Sequence, residues 1–325
     1  MFDLKINKIH AIIIFIIIAA AGWFAAVNPV FFVEKNRNNV FAAKDNLVAD
    51  VSYLTVINPT RDSSHAESLN RVADYIAAEF SKTGCVPEIQ KFTVEKKEYK
   101  NIICSFGTEN KSRVVVGAHY DAFIDSPGAD DNASGVAGLL ELARIIGREN
   151  PALSHRIDLV AYSLEEPPYF NTSSMGSHFH AKYLKDKGIK VAGMICLESI
   201  GYFSDEPGSQ KYPLDAFRLA YPGKGDFIAV VGKFGQQGIV AKIKKSILEN
   251  SDIKALSFNG PEILPGVSYS DHMNYWKFGY DAAMVTDTAF NRNPNYHEAS
   301  DAIETLDFDR MAQVVRGVYF AAVDF

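Results

Sequence analysis

Hydrophobic positions along the chain fall into three kinds of run, and each kind predicts a different element. The first is long and uninterrupted: Ile9 to Val27, IHAIIIFIIIAAAGWFAAV, carries no charge. The second is short and apolar. RVVVGAH, RIDLVAYSLEE, VAGMICLESIGYF, DFIAVVGKF and DAAMVTDTA read as strands, with further strand-like segments around EIQKFTV and NIICSF. RVVVGAH suits a buried central strand ending at His119, and RIDLVAYSLEE ends at Glu165-Glu166. The third kind repeats at helical spacing. It covers SSHAESLNRVADYIAAEFSKTG, with a Ser cap at its start and Gly84 as its stop, and SGVAGLLELARIIGREN, GSHFHAKYLKDKG, QQGIVAKIKKSILEN and LDFDRMAQVVRGVYFAAVDF. Residues 28–62 read as a tether and lead-in segment.

Strands alternating with helices predict an α/β fold with a largely parallel sheet covered on both faces. Ligands bind such sheets beyond the carboxyl ends of the strands. His119, Glu165, Glu166 and Glu198 all fall at or near predicted strand ends, so side chains distant in sequence converge on one rim.

Composition changes this picture only at the N-terminus. The chain has 325 residues, 47% hydrophobic and 22% charged, which is ordinary for a globular protein. One catalytic domain over residues 36–325 is expected, after a membrane anchor or signal segment and tether over 1–35. A helix over residues 9–27 would be about 28 Å long, close to one hydrocarbon core. Lys5 and Lys8 precede it and Trp23 and Phe24 lie toward its far end, as an interfacial aromatic pair would. An uncleaved anchor with an extracytoplasmic domain is the leading expectation. A secreted form cleaved near Ala19-Ala20-Ala21 and a buried core helix are the alternatives. A form beginning near Asn36 is expected to keep full activity, since every proposed ligand follows it. The net charge of −6 argues against nucleic acid as a partner. The three cysteines show no metal-ligand spacing; Cys104 and Cys196 lie in apolar runs, and whether Cys85 and Cys104 pair is left open.

The chemistry lies in GAHYD, GADDNASG, SLEEPP, ICLESIGYF and YHEASD. They offer His119, Asp131, Glu166, Glu198 and His297 as metal ligands, with Glu165 as a spare carboxylate. Imidazole and carboxylate suit zinc, and a catalytic zinc site keeps one position open. Five ligands exceed one such site and suit two metals sharing a carboxylate. Asp121, two residues after His119, is placed to accept the other imidazole N–H; Asp301 stands in the same relation to His297. Glu198 inside an apolar run needs a metal or an ion-pair partner to be buried. His178 and His180 face different ways on a helix and are set aside as ligands. Asp271-His272 are either supports for the ligands or lining for the substrate.

The ordered series GAHYD, PGADDNASGVAGLLELA, SLEEPP, LESIGYF, SDH and YHEASD, spanning roughly residues 60–325, resembles the di-zinc aminopeptidases of metallopeptidase family 28. The resemblance implies a mixed, mostly parallel sheet of about eight strands between helices and two Zn2+ per chain. Asp131 would bridge the metals, His119 and Glu198 would complete one site, and Glu166 and His297 the other. Glu165 would be the general base in hydrolysis of peptides with a free N-terminus. Members of this family often carry Asp at the place of Glu198, a departure that keeps the charge on a longer arm. Two other activities are known on this fold: glutaminyl cyclisation with one zinc, and non-catalytic binding, as in ectodomains resembling the transferrin receptor.

Overall fold

The computed structural model describes residues 10–17, 22, 28–30, 33–36, 38–109 and 111–325. Its centre is an eight-stranded sheet in the order β1-β2-β4-β3-β5-β8-β6-β7. The strands are β1 Glu88–Val94, β2 Lys97–Phe106, β3 Arg113–His119, β4 Arg156–Tyr162, β5 Val191–Glu198, β6 Phe227–Lys233, β7 Lys254–Gly260 and β8 Ala282–Thr286. The pairs β3/β4, β3/β5, β5/β8 and β6/β7 are parallel; β1/β2, β2/β4 and β6/β8 are antiparallel. The sheet is mixed, as expected.

Both faces are covered because the central strands are apolar on both faces. Ile195 and Leu197 of β5 and Val285 of β8 point into the larger core layer, and Met194, Cys196 and Met284 into the smaller. The larger layer is closed by α1 Lys44–Thr55, α2 Ala66–Ser81, α3 Gly135–Glu149, α5 Gln237–Asn250 and α7 Phe308–Val323, the smaller by α4 Gly176–Asp186 and α6 His272–Lys277.

Several expectations are corrected. The strand β7 and the helices α1 and α6 were not read from the sequence. KALSFNG, the β7 sequence, mixes polar and apolar residues without clean alternation, because it is an edge strand that among the described residues pairs only with β6. Helix α2 has no Ser cap: His65 is the N-cap residue and makes no side-chain cap bond, while Asp62 accepts the Ser64 N–H at 2.8 Å. Strand β4 stops at Tyr162, and Leu164, at φ 62°, turns the chain so that Glu165-Glu166 stand in the loop beyond it. Cys85 and Cys104 are bonded to each other, and Cys196 is a buried free thiol.

The lead-in part of residues 28–62 carries a packed helix that was not read from the sequence, inside the domain expected from residue 36. Leu47, Val51 and Leu54 of α1 are buried in the main core. The Ala43 N–H and the Asn46 amide donate to the buried Glu141 carboxylate at 2.7 and 2.8 Å, which fixes α1 against α3. Upstream, the Asn36 N–H donates to the Glu249 carbonyl at 2.8 Å, and Asn36 and Asn38 both reach Asn250. The uncharged run 9–27 lies largely outside the described residues, of which 10–17 are helical. Among the described residues no helix is long and apolar enough to cross a membrane.

If α1 is integral to the core, Leu47→Ala should lower unfolding stability by about 2–5 kcal/mol in urea titration, the cost of a buried cavity. A change within about 0.5 kcal/mol, as for an exposed site, would return the segment to the status of a tether.

Candidate metal centre

Strand ends and two tight turns bring the acidic and histidine residues together. His119 is the last residue of β3 and Glu198 the last of β5. Asp131 lies in the turn Ala129–Ser134 before α3, where Asp131 and Asn132 leave helical geometry and are joined by a cis peptide bond. The Asn132 side chain pins this turn to the end of β5: its amide donates to the Leu197 carbonyl at 2.9 Å, and its oxygen accepts the Gly135 and Ser199 N–H groups at 3.1 Å.

Two trios result, His119-Asp131-Glu198 and Asp131-Glu166-His297, each with ligand atoms within 4.8 Å of one another and sharing Asp131. His119 Nε2 lies 3.2 Å from both Asp131 Oδ1 and Glu198 Oε2. His297 Nε2 lies 3.2 Å from Asp131 Oδ2 and 3.3 Å from Glu166 Oε2. Glu165 belongs to neither trio; its Oε2 stands 3.9 Å from His119 Nε2.

The atoms facing this space fit a cation. His119 Nε2, Asp131 Oδ1, Glu166 Oε1 and His297 Nε2 are buried without a hydrogen-bond partner among the described residues. Buried polar atoms are normally partnered, so orphans gathered across the residues of the two trios mark a ligand position. Borderline nitrogen and hard carboxylate oxygen donors suit a divalent ion such as zinc.

Electrostatics agree. Burial raises Glu166 to about 8, and the Asp131 carboxylate adds to the shift. Burial also raises Glu165 well above the ordinary range and raises Glu198. For His297 burial opposes charge, but the adjacent Asp131 and Glu166 carboxylates outweigh it and lift the imidazole to about 10. Each shift reports the same condition: negative groups crowded out of water, needing positive charge.

The supports of the ligands differ from expectation. His119 Nδ1 lies 3.1 Å from the Asp121 backbone carbonyl and 3.6 Å from its carboxylate. A carbonyl can only accept, so Nδ1 carries the proton and Nε2 turns its lone pair toward the site. The Asp121 carboxylate instead accepts the N–H groups of Glu165 and Glu166, at 3.1 and 3.0 Å, and so aims both glutamates. Asp301 does not serve His297. Its carboxylate accepts the N–H groups of Asp130 and Asp131 at 3.0 and 3.1 Å. The His297 ring is stacked between Phe123 and Tyr296, with centroids 4.0 and 3.9 Å away.

Sequence reading missed other contributors. Ser270 donates to Glu198 Oε2 at 2.6 Å and Ser199 to Oε1 at 3.1 Å. Arg61 is 1% exposed and donates to the carbonyls of Tyr120 at 3.0 Å and Gly128 at 2.6 Å, tying together the loops that carry His119 and Asp131. Ser270 had a signal, its place in SDH; Arg61, a single cation in a polar stretch, had none. Asp271 is buried with neither oxygen hydrogen-bonded, and burial raises it to about 7. His272 holds the Val267 carbonyl at 2.9 Å and lies outside both trios. His180 bonds Tyr275 at 2.6 Å, which fits its exclusion as a ligand.

Beside Glu198 opens an apolar cavity, lined by Tyr212, Phe217, Tyr221, Phe258, Met284 and Tyr296 among others.

An acid-and-imidazole centre at the carboxyl ends of a mixed sheet is the architecture of a metal-dependent hydrolase. The model of peptidase family M28 matches residues 101–322. The chain belongs to this family and is a metallopeptidase. It is 42% identical over 285 residues to the uncharacterized protein YfbL of Escherichia coli (strain K12), covering 85% of this chain and 87% of that protein. It is 27% identical over 289 residues to leucine aminopeptidase 1 of Blastomyces gilchristii (strain SLH14081), covering 83% of this chain and 68% of the relative. BSAP, a zinc aminopeptidase from Bacillus subtilis, shares the fold with a TM-score of 0.70 at 16% identity, over 88% of this chain and 96% of that one.

If Asp121 aims the two glutamates, Asp121→Asn, which leaves one acceptor oxygen for two N–H groups, should weaken metal binding by about 10–100-fold, the usual effect of losing a ligand's support. Competition with a chelating dye reads this; wild-type affinity would show the carboxylate to be dispensable.

Proposed function

We propose that this protein is an aminopeptidase that uses two zinc ions to hydrolyse the N-terminal peptide bond of peptides with a free N-terminus. The observation that carries the proposal is the pair of trios sharing Asp131, with Glu165 beside them and outside both. His119, Asp131 and Glu198 would hold one ion, and Asp131, Glu166 and His297 the other. When bound, zinc supplies Lewis acidity and eases ionisation of water at neutral pH.

The chain's own residues do the rest. Glu165 takes the proton of the attacking water and delivers it to the leaving amine. A carboxylate raised by burial, as Glu165 is, suits a group that must gain and lose a proton in each cycle. Asp121 holds the backbone of Glu165 and Glu166 so that one glutamate faces the metal and its neighbour the water. The cavity beside Glu198 takes the side chain of the first residue, and its aromatic lining favours a large apolar one. The name of the leucine aminopeptidase relative points the same way.

We further propose that the protein works outside the cytoplasm, held by residues 9–27 or released after their removal. The Cys85–Cys104 disulfide supports an oxidising compartment. Protease added to spheroplasts should degrade the domain; intact, protected protein in the cytosolic fraction would contradict this.

Glu165→Gln should lower turnover by about 10²–10⁴-fold, the worth of a general base, and keep the metal. Glu166→Gln should lose metal instead. Equal metal loss in both variants would refute the division of roles.

N-acetylation of a good peptide substrate should nearly abolish cleavage, read by mass spectrometry of the products. Internal cleavage of the blocked peptide at the free peptide's rate would make the protein an endopeptidase. Loss of ammonia from an N-terminal glutamine, without release of a residue, would make it a cyclase.

A further inference from the structure

The segment that follows the apolar N-terminal run is built into the molecule at one point that the metal chemistry does not use. Asn28 is 4% exposed. Its side-chain oxygen accepts the Ser257 N–H at 3.0 Å, the Ser257 hydroxyl at 3.1 Å and the Lys244 ammonium at 2.6 Å. Lys244 also reaches the Pro29 carbonyl at 2.8 Å.

Ser257 lies in β7, whose outer edge has no strand partner among the described residues. An open edge exposes a row of backbone N–H and C=O groups that must be met by something else. At Ser257 the N–H is met by Asn28 and the carbonyl by the Tyr221 hydroxyl, at 2.9 Å. Ser257 and Tyr221 both line the apolar cavity beside Glu198. The Tyr221 ring in turn packs against Phe217 and Tyr212, with centroids 6.0 and 5.9 Å away, and Phe217 against Phe258 at 5.0 Å. A chain of direct contacts therefore runs from Asn28 through Ser257 and Tyr221 to the aromatic wall.

We infer that Asn28 is a positioning residue for substrate recognition: it fixes Ser257 at the edge of β7 and so sets the aromatic wall that receives the substrate's first side chain. This rests on reading the cavity as the seat of that side chain. Shortening the chain to Asn36 would then blunt selectivity although every proposed metal ligand is kept.

The test uses full-length protein and two matched substrates, one with N-terminal phenylalanine and one with N-terminal alanine. In Asn28→Ala the ratio of kcat/KM for the phenylalanine over the alanine substrate should fall roughly three- to tenfold, on the order of one hydrogen bond, because only part of the loss of Asn28's three bonds reaches the wall. Metal content should stay at the wild-type level. Asn28→Asp keeps an acceptor for Ser257 and a partner for Lys244, and should restore the ratio. Tyr221→Phe removes the next link without touching the N-terminal segment and should lower the ratio by itself. Combined with Asn28→Ala it should add less than the sum of the two, since the residues act in series. An unchanged ratio in Asn28→Ala, even with both activities reduced, would overturn the inference, because a merely structural role lowers both alike. Calorimetric binding of phenylalaninamide and alaninamide gives the same comparison without turnover. Absence of turnover with the binding preference intact in wild type and lost in Asn28→Ala would refute the aminopeptidase reading and leave the inference standing. No preference for phenylalaninamide in wild type would overturn the assignment of the cavity and the inference with it.

Discussion

The constraint on which the structure depends is the crowding of four carboxylates, those of Asp131, Glu165, Glu166 and Glu198, into one buried crevice. Like charges out of water repel and resist ionisation. The fold holds their backbone in place from outside the crevice. Asp121 and Asp301, two further acids, take backbone N–H groups from the very residues that carry the ligands, so acid and ligand are locked as pairs. Arg61, buried beneath, adds a cation that neighbouring Asp301 and Asp131 keep charged against the pull of burial. What these supports leave unmet is a set of lone pairs facing inward, and that remainder is where a cation belongs.

The centre was legible because its residues sit where apolar runs stop. His119 and Glu198 end strands that the hydrophobic pattern locates well, and Asp131 opens a strongly amphipathic helix. The supports were less legible for a physical reason. Asp121 and Asp301 were recognised as acids near histidines, yet they bind backbone N–H groups, and no residue pattern records which N–H an acid will meet. Arg61 acts entirely on carbonyls. The same holds for β7, whose edge position removes the need for an apolar face on both sides.

The N-terminal region shows the opposite failure. Its sequence from Asn28 to Asp62 was read as a tether and lead-in, but the structure uses its polar groups as fasteners. Asn28, Asn36, Asn38 and Arg61 each close a hydrogen bond on an edge, a helix end or a loop of the domain, and Asn46 closes one on the middle of α3. Polar residues dispersed without period can mark a solvated linker or a strap bonded along its length, and composition alone does not separate the two.

The central claim is that two cations sit astride Asp131. Crystals of the full chain soaked in zinc, with anomalous differences recorded above and below the zinc edge, test it directly. The account predicts two peaks per chain, one between His119, Asp131 and Glu198 and one between Asp131, Glu166 and His297. A single peak, or two peaks away from Asp131, would contradict it.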